Sequence, residues 1–155
     1  MHTDTMRTSV SALCMYCHLQ RLQSVQNAAA RLVSGARRHD HITPVLVSLH
    51  SVHWLPVRQR IIYKMAVLVW KCLHNAAPRY LADLCVPAHS VCGRQQLRFT
   101  ASGTLLVPRA RTAIGQRSFA VNGPQTCNSL PVDLRTPDTT LCSFKCHLKA
   151  HLFQQ

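Results

Sequence analysis

The sequence predicts a mostly α-helical fold, a small helical domain of four or five helices with long irregular connections. Two observations carry this prediction. Apolar residues recur at three- and four-residue steps over several long segments, which is the spacing of one face of a helix. Proline and glycine fall between those segments, where they end helices and favour turns. The chain has 155 residues, of which 47% are hydrophobic, and this suits one domain with a buried core.

Three segments show the helical spacing most clearly. The first helix is predicted over residues 19–34, with Gly35 as its stop and residues 1–18 as a disordered leader. Its apolar stripe contains Leu19, Leu22, Val25 or Gln26, Ala29, Leu32 and Val33. The strongest helix is predicted over residues 56–74, with an apolar arc of Ile61, Ile62, Met65, Leu68, Val69, Cys72 and Leu73. The last is predicted over residues 140–152, with Leu141, Phe144, Leu148 and Leu152 on one face.

Shorter elements connect these helices. Thr43 and Pro44 have the pattern of an N-cap and a first helical residue, so a short helix to about residue 49 is predicted. A second short helix is predicted over residues 78–84, and residues 87–103 are expected to form a loop. Residues 115–121 are long enough to form one or two helical turns. The run of Asn122, Gly123 and Pro124 is expected to end them.

The charge balance predicts a polyanionic partner. The chain contains 18 Lys and Arg against five acidic residues, for a net charge of +13, and all five acids are Asp. Fourteen of the cations are Arg, whose planar guanidinium matches phosphate oxygens two at a time. A compact chain this basic repels itself, and nucleic acid relieves the repulsion. We therefore expect sequence-independent contact with RNA or DNA. The alternative is a cationic protein whose charge serves solubility alone.

The residues needed for bond-breaking chemistry are missing, so no catalytic residue is predicted. Two-metal phosphoryl transfer needs clustered carboxylates, and the nearest pair here, Asp133 and Asp138, lies five residues apart in a Pro-containing loop. The sequence contains neither a G-x-S-x-G elbow nor a glycine-rich phosphate loop. These absences exclude a self-contained polymerase or nuclease.

The eight Cys and ten His residues are expected to hold no metal or other cofactor. No secretory signal or long apolar window is present, so the protein is predicted to be nuclear or cytoplasmic, without a membrane partner. Its cysteines should then be reduced and mostly buried. Haem attachment and zinc are the alternatives. Their candidate ligands are Cys14, Cys17 and His18, the pair Cys85 and Cys92, and the group Cys142, Cys146, His147 and His151.

Seven sequence blocks occur in a fixed order along residues 19–153. They are RLQSVQNAAARLVSG (21–35), DHITPVL (40–46), HWLPVRQRI (53–61), PRYLADL (78–84), VPRAR (107–111), GQRSFAVNGP (115–124) and NSLP (128–131). This series resembles the tail that follows the polymerase domain in reverse transcriptases of non-LTR (LINE-type) retrotransposons. The resemblance implies that residues 19–155 form a non-catalytic helical appendage that assists RNA-directed DNA synthesis by holding template or target. It also implies an upstream polymerase domain as a possible partner.

Two departures from that pattern bear on function. Residues 48–53, SLHSVH, have the form of a short duplication before Trp54, a residue that we interpret as a core anchor or a base-stacking platform. Cys127 stands where the resemblance leads us to expect Trp, and an unfilled space left by a lost indole is costly. Because of these departures, an inactive translated relic of the element remains an alternative function. A helical protein-interaction module is the other alternative function.

Eleven basic residues are the predicted nucleic-acid contacts. Arg60, Lys64 and Lys71 are expected to form a ridge opposite the apolar arc of the strongest helix. Arg109 and Arg111 alternate with Ala110 on an extended segment, so they should point to the same side. In both places phosphate contact and simple solvation remain open. The full set is Arg21, Arg31, Arg37, Arg38, Arg58, Arg60, Lys64, Lys71, Arg109, Arg111 and Arg117.

Overall fold

A computed structural model describes residues 3–42, 44–45, 55–91, 103–136 and 139–154, with side chains from Cys17 onward. Its helices are α1 (Thr3–Ser34), α2 (Val57–Leu73), α3 (Arg79–Ala82), α4 (Ala113–Gln116), α5 (Phe119–Ser129) and α6 (Leu141–Phe153). Two 3₁₀ turns occupy Ala88–Ser90 and Val132–Arg135. Within these ranges there is no β-strand, only an isolated antiparallel bridge between Pro87 and Leu105. The predicted mostly α-helical fold class is confirmed.

The chain divides into two compact units, Met1–Ile61 and Ile62–Gln155, called here the N-terminal and C-terminal units. The boundary lies within α2, whereas the sequence predicted one domain that begins at residue 19. The backbone also differs from the prediction before that residue. Helix α1 begins at Thr3, where a disordered leader was expected. Residues 1–18 contain neither Pro nor Gly, so nothing in this stretch interrupts a helix.

Helix α1 ends as predicted but buries a different side from the one its apolar residues define. Gly35 follows the helix with a φ of 68°, the left-handed conformation typical of a helix stop. The predicted stripe is largely wrong, because its members are mostly exposed. The exposed fractions are 56% for Leu22, 69% for Val25, 85% for Leu32 and 65% for Val33. The buried residues are Gln26, one of the two alternatives in the stripe, and Ala30.

Two glutamine side chains set this orientation of α1. The amide nitrogen of Gln26 donates to the carbonyl of Leu55 at 2.7 Å, and Gln23 Oε1 accepts from the N–H of Val57 at 2.9 Å. Val57 is the first residue of α2, and the first N–H groups of a helix have no partner within the helix. Gln23 therefore satisfies a donor that α2 leaves free. These hydrogen bonds tie the side of α1 that contains Gln23 and Gln26 to the chain at Leu55 and Val57.

Helix α2 matches its predicted limits and most of its predicted faces. Its buried residues are Ala66, Val69 and Cys72. Ile61 and Leu73, two members of the predicted apolar arc, are 44% and 38% exposed. The buried face of α2 is therefore narrower than the predicted arc. Val69 and Cys72 belong to the main core of the C-terminal unit. That core also contains Cys85, Leu105 and Cys127.

The side chain of Asn128 holds the segment around Leu105. Asn128 Oδ1 accepts from the N–H of Leu105 at 2.8 Å, and Asn128 Nδ2 donates to its carbonyl at 2.9 Å. On either side of Leu105, the N–H of Leu106 donates to Val86 at 2.8 Å and the carbonyl of Thr104 accepts from Ala88 at 2.9 Å. Leu105 is 3% exposed, so both of its backbone polar groups need a partner inside the protein.

Helix α5 continues through the residues that were expected to end it. It runs from Phe119 to Ser129 and includes Gly123 and Pro124, both buried. A Cβ atom at Gly123 would lie 3.2 Å from Val69 Cγ2, so this glycine permits the close approach of α5 to α2. The prediction of a break at residues 122–124 is wrong. Tight packing against α2 outweighs the local preference of these residues for turns.

Helix α6 confirms its predicted start and apolar face. Thr140 caps the helix, and its hydroxyl accepts from the N–H of Ser143 at 3.3 Å. Phe144, Leu148 and Leu152 are each 2% exposed or less, and they form the buried side of the helix. Elsewhere the structure tests the shorter predictions only in part. The backbone is helical at residues 42, 44 and 45, while residues 46–54 and 92–102 lie outside the described ranges.

We expect Asn128→Ala to destabilise the C-terminal unit by about 2–4 kcal/mol, because it leaves the buried N–H and carbonyl of Leu105 without partners. Urea unfolding followed by circular dichroism measures this change. The matched control is Asn122→Ala in the same helix, where the side chain accepts only one longer hydrogen bond, 3.4 Å from Thr126. The control should cost less than about 1 kcal/mol. Equal stability of the two variants would show that the Asn128–Leu105 pairing is unimportant.

Candidate functional site

The predicted nucleic-acid contacts are mostly on the surface. Arg31 and Lys71 are half-buried, and the rest are exposed: Arg21, Arg37, Arg38, Arg58, Arg60, Lys64, Arg109, Arg111 and Arg117. These cations are distributed over α1, α2, the turn after α1 and the segment from Val107 to Arg117. Exposure is what phosphate contact requires, and it is equally what a solvated charge shows. Burial alone therefore does not separate the two interpretations.

The basic turn after α1 is closed by Asp40. Its carboxylate Oδ2 accepts from the N–H of Arg37 at 2.7 Å, and its own N–H donates to the Arg37 carbonyl at 3.1 Å. Arg31 Nη2 reaches the backbone carbonyl of Asp40 at 3.5 Å. Arg31 thus has a structural partner within the turn, while Arg37 and Arg38 remain exposed. Of these three cations, the last two are better placed for a ligand.

Three of the four cations of α2 lie away from its buried face. At about 100° per residue, Arg60, Lys64 and Lys71 fall on the side of the helix opposite Val69. Arg60 and Lys64 are exposed, and Lys71 is half-buried in the last turn. A cation in the last turn of a helix is favoured by the helix dipole, so Lys71 has a structural explanation as well.

Arg109 and Arg111 lie in a segment without helical structure. Both arginines are exposed, while Ala110 between them is half-buried. Pro108 and Thr112 are also exposed, and the chain bends at Arg111, so exposure does not alternate along this segment. The placement of both guanidinium groups on the same side of the chain stays a prediction.

The C-terminal unit contains a cavity of about 690 Å³. Its wall includes Trp70, His74, Phe144, Cys127 and Arg135, together with apolar side chains from α2 and from the second 3₁₀ turn. Trp70 stacks on His74 with ring centroids 3.7 Å apart, and its centroid lies 6.1 Å from that of Phe144. The volume is in the range of small-molecule sites in proteins.

Arg135 lies in the cavity wall beside Thr104 and Gly103. Its Nη1 donates to Thr104 Oγ1 at 3.4 Å, while its Nε is buried without a hydrogen-bond partner in the described structure. Gly103 lies against it with a φ of 66°, and a Cβ there would come within 2.7 Å of the Arg135 carbonyl oxygen. Residue 103 is therefore restricted to glycine for two reasons. Its positive φ disfavours other residues, and a Cβ would be too close to the backbone of Arg135.

Three free thiols are buried in the core beside this cavity. Desolvation raises the pKa of Cys85 to about 12, and the nearby Cys72 and Cys127 thiols add to the rise. Burial also raises the pKa of Cys127, to about 11, although the Arg135 guanidinium lowers it in part. Burial raises the pKa of Cys72 as well, and a hydrogen bond with Cys85 opposes the shift. Of the six described cysteines these three are buried, whereas Cys17, Cys142 and Cys146 are exposed, so the prediction of mostly buried cysteines holds for only half of them.

The described residues form neither a metal-binding group nor a membrane-spanning helix. No three His, Cys or Asp side chains among them come together as a metal site. The side chains of Cys14, Cys92, Trp54 and Asp138 lie outside the described part, so the proposals that involve them remain predictions. No helix in the described part combines the length and apolar character needed to cross a membrane.

Sequence reasoning missed two residues of the C-terminal unit. Asn128 was noted only as a member of the NSLP block, and Arg135 was left out of the candidate list. An asparagine before a helix end is usually a local cap, so its pairing with a residue 23 positions away has no local signal. Arg135 has no helical or strand pattern around it that distinguishes an inward-pointing cation from a solvated one.

The chain matches no protein-family model, no curated protein and no solved structure.

We expect the buried and exposed thiols to differ sharply in reactivity. With iodoacetamide at about pH 8, Cys142 and Cys146 should be alkylated rapidly, while Cys85 and Cys127 should react at least about a hundredfold more slowly. The raised pKa leaves almost no thiolate, and burial blocks the reagent. Peptide mass spectrometry measures each rate, and labelling in urea provides the control, since unfolding should make the four rates similar. Rapid native labelling of Cys85 would contradict the packing of this core.

Proposed function

We propose that this chain is a non-catalytic, basic nucleic-acid-binding fragment of a retrotransposon reverse transcriptase, similar to the region that assists RNA-directed DNA synthesis. Its partner is RNA or DNA without sequence preference. The observation that carries the proposal is the excess of 18 cations over five acids. Most of the predicted contacts among those cations are exposed.

The seven ordered blocks supply the second support, because they connect the basic surface to a class of proteins that handles nucleic acid. Several block residues have structural tasks. Asn128 pairs with Leu105, and Gly123 leaves room for Val69, which a Cβ there would approach to 3.2 Å. A polymerase tail needs such a scaffold to present its cations. The upstream polymerase domain is, under this proposal, the natural second partner.

Salt dependence tests the proposal. Fluorescence anisotropy with labelled single-stranded oligonucleotides should show binding that weakens at least about tenfold between about 50 and 200 mM salt. Two oligonucleotides of unrelated sequence should bind alike. The double variant Arg109→Gln and Arg111→Gln should lower the slope of log affinity against log salt by about 1.4, since each phosphate contact on a single strand contributes about 0.7.

The control for this experiment removes a cation outside the predicted set. Arg79 is exposed at the start of α3 and belongs to the same unit as Arg109 and Arg111. Arg79→Gln should leave the salt slope within about 0.3 of the wild-type value. The proposal fails if the wild-type chain does not bind either oligonucleotide at low salt, or if its binding is indifferent to salt.

A second candidate function, a helical protein-interaction module, is favoured by one observation on α1. Leu22, Val25, Leu32 and Val33 are all more than half exposed. Leu22, Val25, Ala29 and Leu32 follow the alternating three- and four-residue spacing of a coiled-coil seam. A net charge of +13 makes a second copy of this chain an unfavourable partner, and an acidic helix a favourable one.

A designed peptide tests this second function. A labelled helix with Leu at the seam positions and Glu on both flanks should bind the chain in an anisotropy titration. Leu32 is 85% exposed, so Leu32→Glu should fold normally and weaken the binding at least about tenfold, since a charge enters the apolar seam. Tyr80→Glu, at a residue 70% exposed elsewhere, is the control and should bind like the wild type. Equal binding by both variants would exclude the seam as a docking surface.

A further inference from the structure

We propose that the cavity of the C-terminal unit is a binding site for a small planar organic anion, an aromatic ring system that carries a carboxylate or phosphate group. This site is independent of the proposed nucleic-acid contacts, because none of the predicted contacts lines the cavity. Its volume, about 690 Å³, accommodates a ligand of one or two fused rings with an anionic substituent.

The charge of the wall specifies an anion. Arg135 is half-buried, and no acidic residue is present among the described residues that line the cavity. A guanidinium removed from water is normally paired with a carboxylate or phosphate. The neighbour that its charge perturbs is the Cys127 thiol, which has a pKa of about 11 and is therefore neutral near pH 7. Among the described residues that line the cavity, none supplies a negative counter-charge.

The polar groups left without partners also point to an acceptor. Trp70 Nε1 and Arg135 Nε are both buried and make no hydrogen bond in the described structure. Both are N–H donors. Buried donors are almost always paired in folded proteins, so a ligand with acceptor atoms suits a wall that contains both. A carboxylate or phosphate is an acceptor at each of its terminal oxygen atoms.

The apolar part of the wall specifies the body of the ligand. Trp70, its stacking partner His74 and Phe144 give the cavity an aromatic side. Aromatic rings gain from offset or edge-to-face contact with another ring, beyond the area that they bury. Further apolar residues, including Leu73, Leu105 and Leu134, complete the lining. A flat aromatic body with one anionic end matches both parts of the wall.

Isothermal titration calorimetry with three probes tests the assignment. The probes are 2-naphthoate, uridine monophosphate and the neutral 2-naphthol. We expect at least one of the two anions to bind at least about tenfold more tightly than 2-naphthol. Preference for naphthoate identifies the ligand class as aromatic carboxylates, and preference for uridine monophosphate identifies it as nucleotides. Failure of both anions to bind at millimolar concentration overturns the proposal, as does equal affinity for 2-naphthol.

Variants locate the site. Arg135→Gln should weaken binding of the preferred anion about tenfold or more, because it removes a charged hydrogen-bond donor. Arg79→Gln removes the same charge outside the cavity and should leave the affinity unchanged. Unchanged affinity in Arg135→Gln overturns the proposal, as does an equal loss in Arg79→Gln. Heteronuclear NMR supplies a second readout, in which the Trp70 indole signal, assigned with a Trp54→Phe variant, should shift when the anion is added to wild-type protein.

A cavity-filling variant provides the last check. Cys127 is in the wall and is 8% exposed, so Cys127→Phe places a ring where the ligand is expected to lie. The folded variant, checked by circular dichroism, should bind the anion at least about tenfold more weakly. Wild-type affinity in the folded variant would place the ligand elsewhere and overturn the proposal. If this variant does not fold, Arg135→Gln and the indole signal still decide the outcome.

Discussion

The pairing of the Asn128 side chain with the backbone of Leu105 is the interaction on which the described C-terminal unit depends. Leu105 lies in a segment without helical structure, so its N–H and carbonyl have no partner from a regular element. The side-chain amide of Asn128 has an acceptor and a donor at the spacing of a peptide group. It makes the two hydrogen bonds to Leu105 that a neighbouring β-strand would otherwise make. The same segment bonds on its flanks to Val86 and Ala88. Asn128 thereby joins the end of α5 to the chain before α4.

Several features of the C-terminal unit are built around the pairing of Asn128 with Leu105. Leu105 enters the core beside Val69, Cys72, Cys85 and Cys127. Thr104 is brought to Arg135, where its hydroxyl accepts from the guanidinium. The cavity lies beside these contacts, and Cys127 forms part of its wall.

The excess of positive charge shapes the rest of the molecule. Cations that lack acidic partners are most stable in water, and this keeps most of them on the surface. Two arginines depart from this arrangement. Arg31 turns toward the backbone of Asp40, and Arg135 lies in the cavity wall. Both therefore have hydrogen-bond partners within the folded chain. Most of the predicted contacts are exposed instead, which leaves them accessible to solvent and to a ligand.

The sequence by itself determined the fold class, the limits of α2 and α6, and the buried face of α6, because helical periodicity and capping are local properties. It also determined the charge and the lack of clustered carboxylates. Only the tertiary structure decided which side of α1 is buried, since Gln23 and Gln26 bond to residues far along the chain. The course of α5 through Gly123 and Pro124 depends in the same way on contact with Val69. Pairings between distant segments created the wall of Arg135 and Trp70. Such pairings produce no periodic pattern in the sequence, because they depend on which distant segments the folded chain brings together.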